Sequence, residues 1–307
     1  MSQNNCTKEI KFFSGETVPV EQHKVRIVQK LYLKPIEERI EAISKGGYNT
    51  FLLDTKDVFL DMLTDSGTNA MSDNQLASMH HADDAYAGSQ SFVRMQKAIE
   101  DVFGKKHILP VHQGRAAENV IGKTYVKEGD IIPMNYHFTT TKAHFEINGG
   151  VIEEIFTEEA LKITSDHPFK GNIDVDKLKG LIDKHGADKI PFIRFEASTN
   201  LIGGQPFSIK NMRDVKAVAD KHKIKIVMDA SLIGENAWFI KQREEEFKNS
   251  TITEILHEMC GICDIVYFSS RKVSSSRGGA ICTNNEDLFL EMRELIPLYE
   301  GFLTYGG

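Results

Sequence analysis

The chain has 307 residues, 41% hydrophobic and 26% charged, a balance suited to a water-soluble globular protein with one large core or two domains. Its formal charge of −7 argues against nucleic acid or an anionic membrane as the main partner. No apolar run approaches the roughly 20 residues that span a bilayer, and the start MSQNNCTKEIKFF lacks the basic-then-apolar order of a secretory signal, so the cytoplasm is the expected location.

In chain order, Pro35 opens a helix in which Ile36, Ile40 and Ile43 share a face, and Gly46-Gly47 stops it. Residues 1–56 therefore read as an N-terminal arm with part of a small domain, and residues 57–307 as a large domain. From Phe103 onward short apolar runs alternate with helical patterns, the signature of an α/β fold around a mostly parallel sheet flanked by helices. Strands are predicted over 107–111, 192–195, 224–228, 265–269 and 280–283. Ser208 can cap a helix in which Met212, Val215 and Ala219 recur at helical spacing, and further helices are expected over 251–259 and 286–295. The cysteines, Cys6, Cys260, Cys263 and Cys282, are too few for a disulfide scaffold of this size and suit a reducing compartment. Cys260-Gly-Ile-Cys263 matches CxxC, but no second CxxC completes a zinc site and the motif closes a helical segment before an apolar strand. It reads as structural, with metal or redox chemistry the alternative.

Four features fall at the ends of predicted strands, where ligands bind in open α/β sheets. Gln113-Gly114-Arg115 leads into a helix whose free N–H groups could face an anion; the plain alternative is a turn. No GxGxxG or GxxxxGK[ST] is present, so dinucleotide and P-loop readings lose support. Asn200 lies in a loop with Gly203-Gly204, which could bring backbone close to a ligand or simply connect two elements. Asp229 ends an apolar strand; it could pair with a pyridinium N–H and keep that ring an electron sink, or merely cap the next helix. Ser269-Ser270-Arg271-Lys272 puts hydroxyls and a basic pair at another strand end, fit for a phosphate and a reactive amine, or for a solvated loop. The order of anion turn, Asn loop, strand-end Asp and strand-end Lys is that of fold-type I pyridoxal-phosphate enzymes.

Longer stretches sharpen this. YNTFLLDTKDVFLDMLTDSGTNAMSD, DDAYAGSQSF, VHQGRAAENV, NYHFTTTKAHFEINGG, TNLIGGQPFSIKNMR and MDASLIGENAWFIKQRE resemble the beta-eliminating lyases, tyrosine phenol-lyase closely and tryptophanase somewhat less. The resemblance implies a fold-type I enzyme with pyridoxal 5'-phosphate, an amino acid substrate, and β-elimination of tyrosine to phenol, pyruvate and ammonia. By position it implies Lys272 as the Schiff-base lysine that also removes the α-proton, and Asp229 on the pyridine nitrogen. Gln113, Gly114, Arg115 and Ser269 would bind phosphate, Phe138 would stack on the ring, and Asn200 would contact its phenolic oxygen or the substrate carboxylate. Tyr86 would protonate the leaving ring with help from Thr139, while Thr64 and Ser66 would bind the substrate carboxylate and Phe51 would line the pocket. Gly67 and Asp84 stand where the family takes ligands for potassium, though Asp84 replaces the usual glutamate and the third ligand, an asparagine, has no clear counterpart. Leu232 stands where the family has an arginine near the cofactor's phenolic oxygen. The family's C-terminal small domain has no counterpart here, so a second polypeptide supplying it is expected, along with a homo-oligomer in which Tyr86 and Phe51 approach a neighbour's cofactor. Tryptophan or another β-substituted amino acid is the alternative substrate, and a non-catalytic protein keeping the fold is the alternative class.

Overall fold

The computed structural model describes residues 9–19, 31–61, 63, 71–83, 85, 87–274 and 276–301. The chain divides into two compact units, Met1–Thr64 and Asp65–Gly307. In the first, β1 (Glu9–Lys11) pairs antiparallel with β2 (Thr17–Pro19). Helix α1 (Ile36–Lys45) starts after Pro35 and carries Glu37 and Glu38 in its first turn and Lys45 in its last, a charge order that complements the helix dipole. It ends at Gly46, and Gly47 takes a φ of +62°.

The second unit opens with α2 (Asp73–His80), held by a reciprocal Ser72–Gln75 capping box, and α3 (Gln90–Phe103), which Ser89 caps and Gly104 ends. Strands and helices then alternate: β3 (His107–Val111), α4 (Gly114–Tyr125), β4 (Ile131–Met134), α5 (Thr139–Ile147) and β5 (Val151–Glu154). Next come α6 (Val175–His185), β6 (Phe192–Glu196), α7 (Ile209–His222), β7 (Lys225–Asp229), α8 (Ile233–Arg243) and α9 (Ile252–Ile262). The unit closes with β8 (Ile265–Ser269), α10 (Ser270–Val273), β9 (Gly279–Thr283), α11 (Glu286–Arg293) and α12 (Leu295–Tyr299). Ser208 caps α7 as its sequence predicts, and α9 begins with a Thr251–Glu254 capping box.

The sheet order is β3-β9-β8-β7-β6-β4-β5. From β8 to β5 the strands run parallel, whereas β9 is antiparallel to both β3 and β8. Period-two alternation feeds two cores. On β7 and β8, Ile226, Met228, Val266 and Phe268 face one core with Met212, Val215, Ile240 and Met259; Val227, Ile265 and Tyr267 face the other with Val120, Ile121 and Phe145. Both faces being covered, β8 is buried throughout, which is why such strands read as unbroken apolar runs. Two strands of this sheet, like β1 and β2 of the first unit, lay outside the predicted set. β4 contains Pro133, which lacks a ladder donor, and it meets β6 only through Met134 opposite Arg194; β5 is an edge strand ending in two glutamates.

Among the described residues no helix is long and apolar enough to cross a membrane. Cys260, Cys263 and Cys282 are free and buried. Burial pushes the Cys260 and Cys282 thiols up to about 12 and Cys263 higher, which removes all three from thiolate chemistry near neutrality.

One glycine locks the sheet to the turn after β3. A Cβ on Gly279 would lie 2.4 Å from the Phe268 carbonyl oxygen, 3.2 Å from the Gln113 carbonyl carbon and 3.4 Å from the Gly114 nitrogen. Backbone, not a flexible side chain, occupies that space. Gly279→Ala should therefore destabilise the protein by about 1–3 kcal/mol, read as a lower urea midpoint at unchanged slope. A variant as stable as the parent would show that β9 does not press on this turn.

Candidate active site at the carboxyl ends of the strands

The pairing register sets Glu196 of β6 opposite Asp229 of β7, and Asp229 opposite Tyr267 of β8. The carboxyl ends of three parallel strands thus come level, and β8 runs on to Ser269. Beside them α4 begins with Gly114. A Cβ there would sit 3.3 Å from the Ser269 Cβ and 3.6 Å from the Ser231 Oγ, so only glycine allows this approach without displacement. Ser269 N donates to Ser231 Oγ at 3.1 Å. Three segments therefore meet at a helix N-terminus: Gln113–Arg115, Ser231 and Ser269. Gln113 makes no side-chain cap with the helix, which leaves its amide to other partners. The turn is braced from outside, as His112 N donates to a Glu300 carboxylate oxygen at 2.7 Å.

Lys272 sits on the four-residue turn α10, anchored by Ser270 N donating to the Gly278 carbonyl at 2.9 Å. Its Nζ lies 5.3 Å from the centre of the Phe138 ring, within cation–π reach. Phe138 is the residue just before α5, so an aromatic face and an amine come together from elements 134 positions apart in sequence. A cavity of about 550 Å³ adjoins Lys272, lined also by Ser231, Ile233, Trp238, Phe239 and Leu256 among others. Leu232, the N-cap of α8, is half-buried next to it.

Behind Asp229 lies a charged cluster. Arg194 is wholly buried on β6. Its Nη2 donates to Asp229 Oδ2 at 2.9 Å, its Nη1 to Glu196 Oε2 at 3.1 Å, and its Nε to the Tyr267 hydroxyl at 3.0 Å. Tyr267 in turn donates to Glu118 Oε1 at 3.2 Å. Glu118 also accepts from Thr140 Oγ1 at 2.6 Å and from Thr141. Burial pushes the Glu118 carboxyl up to about 7, against the pull of Arg194. Asp229 Oδ1 accepts from Ser231 N at 3.0 Å. The Asn200 turn joins the same cluster: Asn200 N donates to Glu196 Oε1 at 3.0 Å, and Gly203 and Gly204 both take positive φ. Two residues upstream, buried Ser198 is held at φ +48°, an uncommon conformation for a non-glycine, with its N donating to Asn236 Oδ1 at 3.0 Å.

Against known proteins, residues 61–303 match the beta-eliminating lyase family. This chain belongs to that family. It is 47% identical to the tyrosine phenol-lyase of Pasteurella multocida over 290 residues, covering 94% of this chain and 63% of that protein. Against the tyrosine phenol-lyase of Fusobacterium nucleatum the identity is 45% over 293 residues, covering 95% and 64%. This family member therefore spans somewhat under two thirds of the length of those relatives. In three dimensions it is similar to a threonine aldolase from Leishmania major, with TM-score 0.59 at 14% identity over 78% of this chain and 67% of that one. It is also similar to an aminotransferase of pseudoaminic acid biosynthesis from Helicobacter pylori, with TM-score 0.51 at 16% identity over 76% and 55%. These likenesses show the fold alone, the fold-type I architecture of pyridoxal-phosphate enzymes.

Pyridoxal phosphate is implied by family and fold, and this member of the family has residues that fit it. Gly114 brings a helix N-terminus against two serines, Asp229 is a buried acid tied to a guanidinium, and Lys272 stands beside an aromatic face. Of the residues expected from sequence, Gln113, Gly114 and Ser269 converge, Phe138 meets Lys272, and Asn200 reaches Asp229 through Glu196 and Arg194. Arg115 and Thr139 are exposed in the first turns of α4 and α5. Phe51 belongs to the first unit and is 75% exposed. Thr64, Ser66, Gly67, Asp84 and Tyr86 lie outside the described residues. Sequence reasoning missed Ser231, Arg194, Glu196, Glu118 and Tyr267. For Arg194 a signal existed: a lone charge inside the apolar strand Phe192-Ile193-Arg194-Phe195 must find partners if the strand is buried.

Proposed function

We propose that the protein is a pyridoxal-phosphate-dependent carbon–carbon lyase that takes tyrosine and water to phenol, pyruvate and ammonia. The observation that carries this reading is the amine of Lys272 beside the Phe138 ring, at strand ends that also present Asp229 and the Gly114–Ser269 cradle. When bound, the cofactor supplies an electron sink for charge developing at the substrate α-carbon.

The chain's own groups divide the remaining work. Gln113, Gly114, Arg115, Ser231 and Ser269 hold the phosphate with N–H and hydroxyl donors, helped by the α4 dipole. Asp229 keeps a proton on the ring nitrogen through a charge-assisted bond. Phe138 would cover one ring face, and Asn200 would meet the ring oxygen or the substrate carboxylate. Lys272 anchors the cofactor and moves the α-proton. Tyr86 delivers a proton to the leaving ring with Thr139 nearby, Thr64 and Ser66 bind the substrate carboxylate, and Phe51 lines the pocket. Gly67 and Asp84 are the candidate potassium ligands. The assembly in this reading is a cytoplasmic homo-oligomer.

Mass spectrometry of borohydride-reduced protein tests the anchor: a pyridoxyl mass on the peptide holding Lys272 is expected, and an unmodified peptide from cofactor-saturated protein would refute the reading. Assays for phenol, indole and pyruvate, with and without the complementary part of a relative, then identify the substrate; phenol and pyruvate in equal amounts are expected.

A further inference from the structure

Arg194 occupies a costly place. It lies within 4 Å of three carboxylates, Asp229, Glu196 and Glu118, the last at 3.9 Å, all in the interior. Well-packed apolar residues commonly do as well for stability as a buried ionic cluster, so stability alone does not account for it. What the fork does is connect. Nη2 holds the acid at the end of β7, while Nη1 holds Glu196, whose other oxygen takes the backbone N–H of Asn200.

We propose that Arg194 is a positioning residue for the cofactor ring, one guanidinium fixing both the acid that meets the ring nitrogen and the loop that meets the ring oxygen. This rests on the cofactor reading above. The planar fork suits the task, since its donors are set at fixed angles and it stays charged at every working pH. It also sets the field around Asp229. The groups facing Asp229 are Arg194 and Glu196 from β6, Tyr267 from β8 and Glu118 from α4, with Ser231 N on its other oxygen. Only one of them is cationic. Burial pushes both Glu118 and Glu196 upward against the pull of the guanidinium, whose direct bond to Glu196 favours that carboxylate.

The test is the pH midpoint of the bound cofactor's absorbance in the full chain. Arg194→Met makes the surroundings more negative, favours the protonated form of the lysine-bound cofactor, and should raise the midpoint by about one pH unit. Glu196→Gln removes a negative charge and should lower it by a similar amount, while loosening the Asn200 loop. Opposite signs are the mark of a charge that sets the ring's environment; a merely structural role would move both variants alike or neither. If Arg194→Met fails to fold, Glu196→Gln and Arg194→Lys decide the matter. The lysine keeps the charge but loses the fork, so it should weaken cofactor binding about tenfold with little change in midpoint. Unchanged midpoints in the neutralising variant or variants obtained, shifts of one sign in both, or wild-type cofactor affinity in Arg194→Lys would overturn the proposal. Failure of the wild-type protein to bind the cofactor at all would overturn the proposed function instead, before any variant is compared.

Discussion

Lys272→Ala is expected to lose the borohydride-stable adduct completely and to lower turnover at least 10³-fold. The magnitude follows from two losses at once, the covalent anchor and the base that moves the α-proton. Folding should survive, because Lys272 is only half-buried on a short turn that the backbone bond from Ser270 N to the Gly278 carbonyl anchors. The neighbouring cavity offers a control: at about 550 Å³ it can admit methylamine, which should restore part of the rate with a dependence on amine concentration. Near-normal turnover in Lys272→Ala, with the cofactor still trapped elsewhere on the chain, would move the reaction to another residue.

Asp229→Asn should follow a different pattern. The substitution keeps shape but removes the charge that pairs with a ring N–H, a bond worth roughly 1.5–3 kcal/mol. Cofactor dissociation constants should rise about 10- to 100-fold. The rate at saturating cofactor should fall further, on the order of 10³-fold, because a ring that no longer holds its proton delocalises charge poorly. Arg194 would meanwhile keep Glu196 and Glu118 as partners, so the thermal midpoint should change less than the rate does. Absorbance titration with cofactor and a saturation curve with substrate separate the two effects. A variant binding normally and turning over normally would show that Asp229 serves only the buried cluster.

The legible parts of this chain share a physical cause. Strands β7 and β8 are covered on both faces, so burial wrote itself into sequence as apolar runs, and the polar residue closing each run, Asp229 or Ser269, marked where the strand met solvent or ligand. Lys272, Asp229 and Gln113-Gly114-Arg115 stood out for the same reason. Strand direction was another matter: side-chain alternation is identical whichever way a strand runs, so the antiparallel course of β9 had no local signature. The buried cluster was hidden more thoroughly. Glu118 sits in Ala116–Ile121 of a helix like any solvated glutamate, and only folding reveals that its face lies against Tyr267 and Arg194. Ser231 was passed over because a serine after a strand-end aspartate usually just begins a helix; its contact with Ser269 comes from the register of two strands.

The course of β9 also has a mechanical meaning. Its first residue is wedged against the turn after β3, and the residue before it accepts from the start of the turn that carries Lys272. The Lys272 turn and the Gln113–Gly114 turn are therefore the two jaws of a single clamp with one hinge pin. Neither jaw can drift without dragging the other, so the gap a ligand must fill is set when the chain folds rather than when the ligand arrives.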